Sequence, residues 1–196
     1  MGKVHDAKLI GGIGAILMLL GGAAVPGIGA IIGLVLLFVA VKYIAQDTKN
    51  DSIFDNYLMH FICTIIAVVA IFVIFFASIG GFWFFSAMQK VNFQDPQAVW
   101  NFFSPYIAWW VLGLVIGWIF FVIGAFYLRK SYNSIADNTK QNLFKTTGTI
   151  YFIGAITLII FVGILIILIA KIIEIVAYFS LPDQLPGSEQ TPHIVQ

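Results

Sequence analysis

The chain has 196 residues, of which 61% are hydrophobic and only 10% are charged, and its mean hydropathy is +1.00. A soluble domain carries about a quarter charged residues, so this composition excludes an ordinary soluble domain and predicts an integral membrane protein whose main partner is the lipid bilayer. The 10 basic and 9 acidic residues nearly balance and form no basic cluster among aromatic residues, which argues against nucleic acid as a partner.

The first apolar run is too long to be one membrane helix. Leu9–Val41 carries no charge and would extend about 50 Å as a single helix, whereas the hydrocarbon layer is about 30 Å thick. The stretch "GGAAVPG" (Gly21–Gly27) interrupts the run with glycines and a proline suited to a first helical turn. We predict a hairpin, with span one at about Asp6–Gly22 and span two at about Pro26–Ala45. The alternative is that Met1–Ala24 is a cleavable signal peptide.

Three further apolar runs complete the predicted bundle. They are Tyr57–Ile79, Tyr106–Leu128 and Thr149–Ala170. Because backbone exposed to lipid must satisfy its own hydrogen bonds, we expect all five spans to be α-helices. The fold class is therefore an all-α membrane protein with a single bundle over residues 1–181. The proline-rich, polar tail at residues 182–196 is expected to be disordered.

The placement of basic residues predicts the orientation of the bundle. With five spans, the N-terminus and the loops after spans two and four share one side of the membrane. That side and its helix ends carry Lys3, Lys8, Lys42, Lys49, Arg129, Lys130, Lys140 and Lys145. The other side carries Lys90, with Lys171 at the far end of span five. Since basic residues concentrate in cytoplasmic loops, we predict that the N-terminus is inside and the C-terminus outside.

The loop between spans three and four is rich in aromatic residues. Asp95 and Pro96 form a helix N-cap and first-turn pair, and the following "PQAVWNFF" would make about two turns before Ser104–Pro105 ends them. We predict a short interfacial helix on the outer side, within an aromatic belt. An outer lid or partner-docking surface is the alternative. The interfacial aromatic residues are Trp83, Trp100, Trp109 and Trp110.

Two similar hexapeptides predict an internal repeat. "IAQDTK" (Ile44–Lys49) and "IADNTK" (Ile135–Lys140) match at four of six positions with an offset of 91 residues, and each joins two spans on the predicted cytoplasmic side. We predict a parallel repeat in which spans two and three correspond to spans four and five. Convergence of two cytoplasmic loops on a similar composition is the alternative.

Pairs of glycines four residues apart predict close helix packing. Gly29 and Gly33 in span two correspond to Gly113 and Gly117 in span four with an offset of 84 residues, which a seven-residue insertion of about two helical turns would reconcile with the hexapeptides. Small residues at this spacing let helix backbones approach closely, so we expect spans two and four to pack on each other. The alternative is that glycine is simply common in membrane helices.

Charged and metal-binding residue types are sparse within the spans. Lys171 and Glu174 share a helix face just beyond the fifth span, which predicts an ion pair at the outer interface, with a buried ion or proton site as the alternative. His60 and Cys63 also share a face, but no third ligand accompanies them, so we expect no metal. No nucleophile, metal-protease or phosphate-loop motif is present, so we expect neither an enzyme nor a cofactor.

Three stretches of the chain resemble a known family. They are "KLIGGIGAILMLLGG" (Lys8–Gly22), "IADNTKQNLFKTTGTIYFIGAI" (Ile135–Ile156) and "AYFSLP" (Ala177–Pro182). They resemble small archaeal membrane proteins grouped as domain of unknown function 996, and the resemblance covers nearly the whole chain. It implies an archaeal source and a multi-pass topology, and it implies no site because the family has no established activity.

The function predicted from the sequence is that of a non-catalytic scaffold or accessory subunit in the cell membrane. The spans are nearly free of polar groups, and their recognisable features are packing motifs. Its partners would be the lipid bilayer and either other membrane proteins or further copies of the chain. The alternative is a small-solute or ion transporter or channel acting as an oligomer, which the repeat favours and the lack of a charge at mid-span disfavours.

Overall fold

The computed structural model describes residues 3–24, 28–80 and 82–185, which form helices and turns and no strand. The helices are α1 (Lys3–Ala24), α2 (Ile28–Asp47), α3 (Ser52–Ile79), α4 (Phe82–Met88), α5 (Pro96–Thr139), α6 (Asn142–Thr157) and α7 (Val162–Phe179), with a 3₁₀ turn at Leu158–Ile160. They form two compact units: unit 1 is Met1–His60 with Ala125–Gln196, and unit 2 is Phe61–Gly124. The predicted start of span two at Pro26, the Trp83 side chain and tail residues 186–196 lie outside what is described.

Five helices in the described part of the chain are long and apolar enough to cross a membrane. They are Gly29–Asp47 in α2, α3, α5, Asn142–Ile160 in α6 and its 3₁₀ turn, and α7. The number agrees with the predicted multi-pass fold, but the set of helices differs. The first predicted span corresponds to α1, which is not among the five, and the last predicted span is divided between α6 and α7.

The prediction of one straight span at Thr149–Ala170 is wrong. Phe161 adopts a left-handed backbone conformation with φ 62°, so the chain turns there between α6 and α7. Two glycines let the legs of this hairpin approach each other: a Cβ at Gly154 would lie 2.8 Å from Ile167 Cγ1, and a Cβ at Gly163 would overlap the Gly154 carbonyl oxygen. The sequence did not reveal this turn because Leu158–Val162 contains no glycine, proline or polar residue to mark it.

The hairpin brings the end of α7 back to the part of unit 1 where α1 begins. Lys8 Nζ donates to Asp183 Oδ1 at 3.0 Å, and His5 Nδ1 lies 3.2 Å from the same oxygen. Lys3 Nζ donates to Gln46 Oε1 at 2.7 Å, so the start of α1 also meets the end of α2. The two ends of the described chain therefore lie at the same end of unit 1, whereas five straight spans would separate them.

The two similar hexapeptides form the same kind of helix end. Thr48 Oγ1 donates to the Ile44 carbonyl at 2.7 Å, and Thr139 Oγ1 donates to the Ile135 carbonyl at 2.8 Å. In each hexapeptide the isoleucine is fully buried, so this face of the helix end points into the interior of unit 1. We call residues 44–49 the first elbow and residues 135–140 the second elbow.

Both elbows end on a lysine and lead into the next helix by the same backbone contact. Lys49 and Lys140 have left-handed backbone conformations, with φ 51° and 58°. The buried residues four positions later are Ile53 and Phe144, whose N–H groups donate to the carbonyl three residues earlier at 3.2 and 3.3 Å. The local backbone thus keeps the offset of 91 residues through the elbows and into the first turns of α3 and α6.

Helix α5 begins where it was predicted to begin but does not end where it was predicted to end. Gln97 N–H donates to Asp95 Oδ1 at 2.9 Å, which caps the helix that starts at Pro96. The helix then continues through Pro105 to Thr139, so the predicted separate interfacial helix is wrong. Pro105 lies on an exposed side of α5, and membrane helices tolerate the hydrogen bond that a proline removes.

Unit 2 is held by close contact of α3 with α5 and by aromatic packing. A Cβ at Gly117 would lie 3.1 Å from the Ala67 carbonyl oxygen, so only a residue without a side chain fits there unaided. Trp110 Nε1 donates to Ser78 Oγ at 3.0 Å, and the Trp110 and Phe75 rings stack with centroids 5.3 Å apart.

Candidate functional site

Three polar side chains recur along one face of α7. Lys171, Glu174 and Tyr178 are three and four residues apart, so they lie on successive turns. Glu174 is 1% exposed and Tyr178 is fully buried. The residues of α7 that precede Lys171 are all apolar or glycine, so this face carries the only charges of the helix.

Both oxygens of the Glu174 carboxylate have partners. The Tyr132 hydroxyl of α5 donates to Glu174 Oε1, and Lys171 Nζ donates to Glu174 Oε2 at 2.7 Å. The Lys171 ammonium also lies 5.3 Å from the centroid of the Tyr151 ring of α6, within range of a cation–π interaction. A buried carboxylate is tolerated when it is paired and hydrogen-bonded in this way.

Further aromatic residues from α3 and α7 surround the ion pair. The His60 ring lies 5.9 Å from that of Tyr151 and 6.0 Å from that of Tyr57, and Tyr57 is within electrostatic range of Glu174. The Tyr178 hydroxyl interacts with that of Tyr132, but among the described residues it has no partner at full hydrogen-bonding geometry. We call this set the Glu174 cluster; it consists of Tyr57, His60, Tyr132, Tyr151, Lys171, Glu174 and Tyr178.

The register of α7 against α1 determines how far the Glu174 cluster lies from the Lys8–Asp183 contact. The Tyr178 ring occupies the space beside Gly11, where a Cβ would overlap it, and Asp183 pairs with Lys8. Lys171 is seven residues before Tyr178, so it lies about 10 Å from Tyr178 toward the start of α7. The predicted Lys171–Glu174 ion pair is present, but it lies inside the apolar helix hairpin. The interfacial location of the pair stays a prediction.

The comparisons with known proteins place the chain in a family. A family model described as "Protein of unknown function (DUF996)" matches residues 29–172. The chain belongs to the DUF996 family. It is also 37% identical over 183 residues to "Uncharacterized protein MJ1644" of the archaeon Methanocaldococcus jannaschii, an alignment that covers 93% of this chain and 96% of that protein. No solved structure matches this DUF996 chain.

The glycines that were predicted to mediate packing lie against different helices. A Cβ at Gly33 would lie 2.6 Å from the Gly14 carbonyl oxygen of α1. Gly113 and Gly117 instead face Ile74, Ile71 and Ala67 of α3. Close approach through Gly33 and Gly117 is thus observed, whereas direct packing of span two on span four stays a prediction.

The tryptophans predicted to be interfacial differ in exposure. Trp100 and Trp109 are 60% and 57% exposed, as a side chain in contact with lipid or headgroups would be. Trp110 is half-buried, and its ring and its indole N–H both have partners in unit 2, as described above. His60 and Cys63 join no group of three or more metal-ligand side chains among the described residues.

Asp183 is a second electrostatic contact, at the polar end of unit 1. Its carboxylate accepts from Lys8 and lies within hydrogen-bonding distance of His5. These hydrogen bonds, that of Lys8 first, lower the pKa of Asp183 below its ordinary value of 3.8. Asp183 therefore stays ionised and links the end of α7 to α1 under mildly acidic conditions.

The sequence reasoning missed the tyrosines that complete the Glu174 cluster. The spacing of Lys171, Glu174 and Tyr178 was visible as a polar stripe, and it could have been read as an inward face of a helix. The Tyr132 partner could not have been found in this way, because it lies 42 residues from Glu174 in the chain.

Proposed function

We propose that the protein is a multi-pass protein of the cell membrane that acts as a non-catalytic scaffold or accessory subunit. The observation that carries this proposal is the extent of apolar surface that the chain leaves uncovered along its helices. On α3, for example, Phe72 and Val73 are 57% and 59% exposed, and a run of β-branched and aromatic residues continues on both sides of them. Surfaces of this kind are covered by lipid, by partner helices or by further copies of the chain.

Purification from native membranes in a mild detergent, followed by native mass spectrometry, tests the scaffold proposal. We expect a stoichiometric complex with at least one other membrane protein or with further copies of this chain. A solitary monomer in native membrane extracts, with no partner recovered after cross-linking in intact membranes, would contradict the proposal.

Transport of a small solute or ion is the second candidate, and the depth of the Glu174 cluster favours it. A charge inside a membrane protein is costly, and such residues often mark ion or proton pathways. Lys171 and Glu174 lie near the middle of α7, so both legs of the hairpin crossing the membrane would bring this pair near mid-span. Flux of protons or cations into proteoliposomes, lost on Glu174→Gln substitution, would support transport over a purely structural role.

We propose that the end of unit 1 that carries the two elbows faces the cytoplasm. The start of α1, both elbows and the end of α7 lie together there, as supported by the Lys3–Gln46 contact and by a hydrogen bond of 2.7 Å from Gln141 Nε2 to the Ser180 carbonyl. Lysines concentrate in the same segments, as the positive-inside rule requires. We also propose that α1 crosses the membrane, because it runs along α2 from the Lys3–Gln46 contact to the Gly14–Gly33 contact.

We propose that α2 with α3 and α5 with α6 descend from one duplicated helix pair. The shared Thr hydrogen bonds, the two left-handed lysines and the equivalent contacts of Ile53 and Phe144 support this proposal. Burial keeps the same offset upstream, since Leu37 and Leu128 are both buried.

A further inference from the structure

We propose that Glu174 is a proton-binding site that exchanges protons with only one side of the membrane, the side of the two elbows. This inference goes beyond the scaffold proposal and does not depend on it, because it concerns what the Glu174 cluster binds. The ligand is the proton itself, and the groups that would deliver it are the hydroxyls of Tyr178 and Tyr132.

The hydroxyls of Tyr178 and Tyr132 are arranged in sequence toward the Glu174 carboxylate. The Tyr132 hydroxyl donates a hydrogen bond to Glu174 Oε1, and the Tyr178 hydroxyl interacts with that of Tyr132 but has no partner at full hydrogen-bonding geometry. Tyr178 is fully buried, so an unsatisfied hydroxyl at this position is costly unless it serves as a donor or acceptor to something else. The three groups form a short line that ends at the carboxylate.

The line of hydroxyls runs from the elbow end of unit 1 toward Glu174. Tyr178 is the cluster residue of α7 nearest the Lys8–Asp183 contact, so a proton that enters through it comes from the elbow end of unit 1. In the opposite direction, residues 158–170 contain no polar side chain that could carry a proton. Thr157, at the end of α6 nearest the turn, donates its hydroxyl to the Ile153 carbonyl of its own helix at 2.9 Å.

In the proposed uptake, a proton from the elbow side reaches Glu174 by successive transfers along the two tyrosine hydroxyls. The Tyr132 O–H bond breaks as its proton passes to Glu174 Oε1, Tyr132 regains a proton from Tyr178, and Tyr178 regains one from the elbow side. Both tyrosines end as neutral phenols, and the net change is one proton bound to the carboxylate. The Lys171 ammonium then faces a neutral acid, so the ion pair that joins two turns of α7 is lost.

The groups that face Glu174 come from each helix packed around it. Lys171 and Tyr178 lie on α7 itself, Tyr132 on α5, Tyr151 on α6, and Tyr57 and His60 on α3. The residue of α1 that meets this face is Gly11, which has no titratable side chain. Lys171 is the cation paired with Glu174, and its loss of that partner would couple proton binding to the packing of α7.

A lipid-soluble carbodiimide tests the proposal, since this reagent reacts with protonated carboxyl groups inside membranes. The full chain is prepared in sealed vesicles, the pH is lowered on one side at a time, and the adduct on Glu174 is quantified by peptide mass mapping. The side of the elbows is identified by labelling a single cysteine introduced as Lys49→Cys in a Cys63→Ser background. We expect labelling of Glu174 to rise several-fold when the elbow side is acidified and to be unchanged when the opposite side is acidified.

Conservative variants separate the relay from a structural role. Tyr178→Phe and Tyr132→Phe keep the buried rings and remove one hydroxyl each, so both should slow labelling several-fold at the same pH. Tyr106→Phe, which removes a hydroxyl in unit 2, is the matched control and should label like the natural chain. No adduct at Glu174 under any condition, labelling that follows the opposite side, or unchanged rates in both relay variants would each overturn the proposal.

Discussion

At the scale of single residues, the buried Glu174 carboxylate depends on two partners at once, Lys171 and Tyr132. The carboxylate is buried and uses one oxygen for Lys171 and the other for Tyr132. The lysine side chain is 16% exposed, so it lies at the margin of the cluster while Glu174 lies within it. Removing one partner should therefore cost more than removing both charges together, because an isolated buried charge has no compensation.

The first prediction tests this coupling with a double-mutant cycle. We expect Lys171→Met to lower the free energy of unfolding by about 3–5 kcal/mol, because it leaves the Glu174 charge unpaired. The double variant Lys171→Met with Glu174→Gln removes both charges and keeps an oxygen acceptor for Tyr132. It should recover most of the loss. The measurement is denaturant unfolding in detergent, followed by tryptophan fluorescence.

Lys130 provides the control for this cycle. It is an exposed lysine that lies 4.7 Å from the centroid of the Phe126 ring and forms no ion pair with a described residue. Lys130→Met should change the free energy of unfolding by about 0.5 kcal/mol or less. A double variant no more stable than Lys171→Met alone would show that the two charges do not compensate each other.

The second prediction concerns the pH dependence of the contact between Asp183 and α1. Because the pKa of Asp183 is lower in the folded protein than its ordinary value of 3.8, the contact stabilises the folded state above that value. The stabilisation is lost as the pH falls through the lowered pKa, when the carboxylate becomes protonated. We expect hydrogen exchange of the backbone at residues 180–185 to increase relative to that of an unfolded peptide over this acidic range.

Asp183→Asn is the matched variant for the second prediction. It keeps the shape of the side chain but cannot ionise, so its exchange at neutral pH should already resemble that of the acidified natural chain. The difference between the two proteins should disappear at acidic pH. A difference that persists unchanged from neutral pH to well below 3.8 would show that the charge of Asp183 does not hold this contact.

At the scale of helices, the elbows and the α6–α7 turn show which local structures the sequence can predict. The elbows repeat threonine and lysine at the same spacing, and the threonine bonds to the carbonyl four residues earlier, so sequence similarity corresponds to similar local backbone. The turn at Phe161 depends instead on the packing of Gly154 against Gly163, two residues that are separated along the chain. A composition that is apolar throughout predicts burial in lipid but does not predict where the chain reverses.

The interior of unit 1 was predictable only in part for a related reason. The one-turn spacing of Lys171 and Glu174 is a local property and predicted their ion pair correctly. Their depth depends on the register of α7 against α1, which is fixed by the contact of Tyr178 with Gly11. One straight span at Thr149–Ala170 would instead place both charges just beyond its end.

The third prediction tests the elbows as equivalent structures. Left-handed backbone is unfavourable by about 1 kcal/mol for residues other than glycine, so Lys49→Gly and Lys140→Gly should each stabilise the fold by up to about that amount. If the elbows are copies of one structure, the two changes should be similar in size and additive. The measurement is again the free energy of unfolding in detergent.

Lys42 serves as the control for the glycine substitutions. It lies inside α2, where glycine lowers helix stability, so Lys42→Gly should destabilise the protein by about 1 kcal/mol. Opposite effects of Lys49→Gly and Lys140→Gly would contradict the structural equivalence of the elbows and weaken the case for duplication.

At the scale of the whole molecule, the hairpin at Phe161 changes the topology by one crossing. A single fifth span would place Asp183 across the membrane from the N-terminus, whereas two legs return it to the starting side. The pair of His5 and Lys8 with Asp183 requires the second arrangement within unit 1. Together with α1 as a proposed crossing helix, we expect an even number of crossings, with both ends of the described chain on one side.

The fourth prediction tests this topology with single cysteines in a Cys63→Ser background. A membrane-impermeant maleimide should label Lys3→Cys, Lys49→Cys, Lys140→Cys and Gln184→Cys from the same side of sealed vesicles. Gln184→Cys is decisive, because a single fifth span would place it on the opposite side while leaving the other three positions together. Lys90→Cys, in the loop that follows α3 and α4, is the control for the opposite side. Labelling of Gln184→Cys together with Lys90→Cys would contradict the hairpin, and it would also remove the elbow-side route by which Tyr178 is proposed to deliver protons to Glu174.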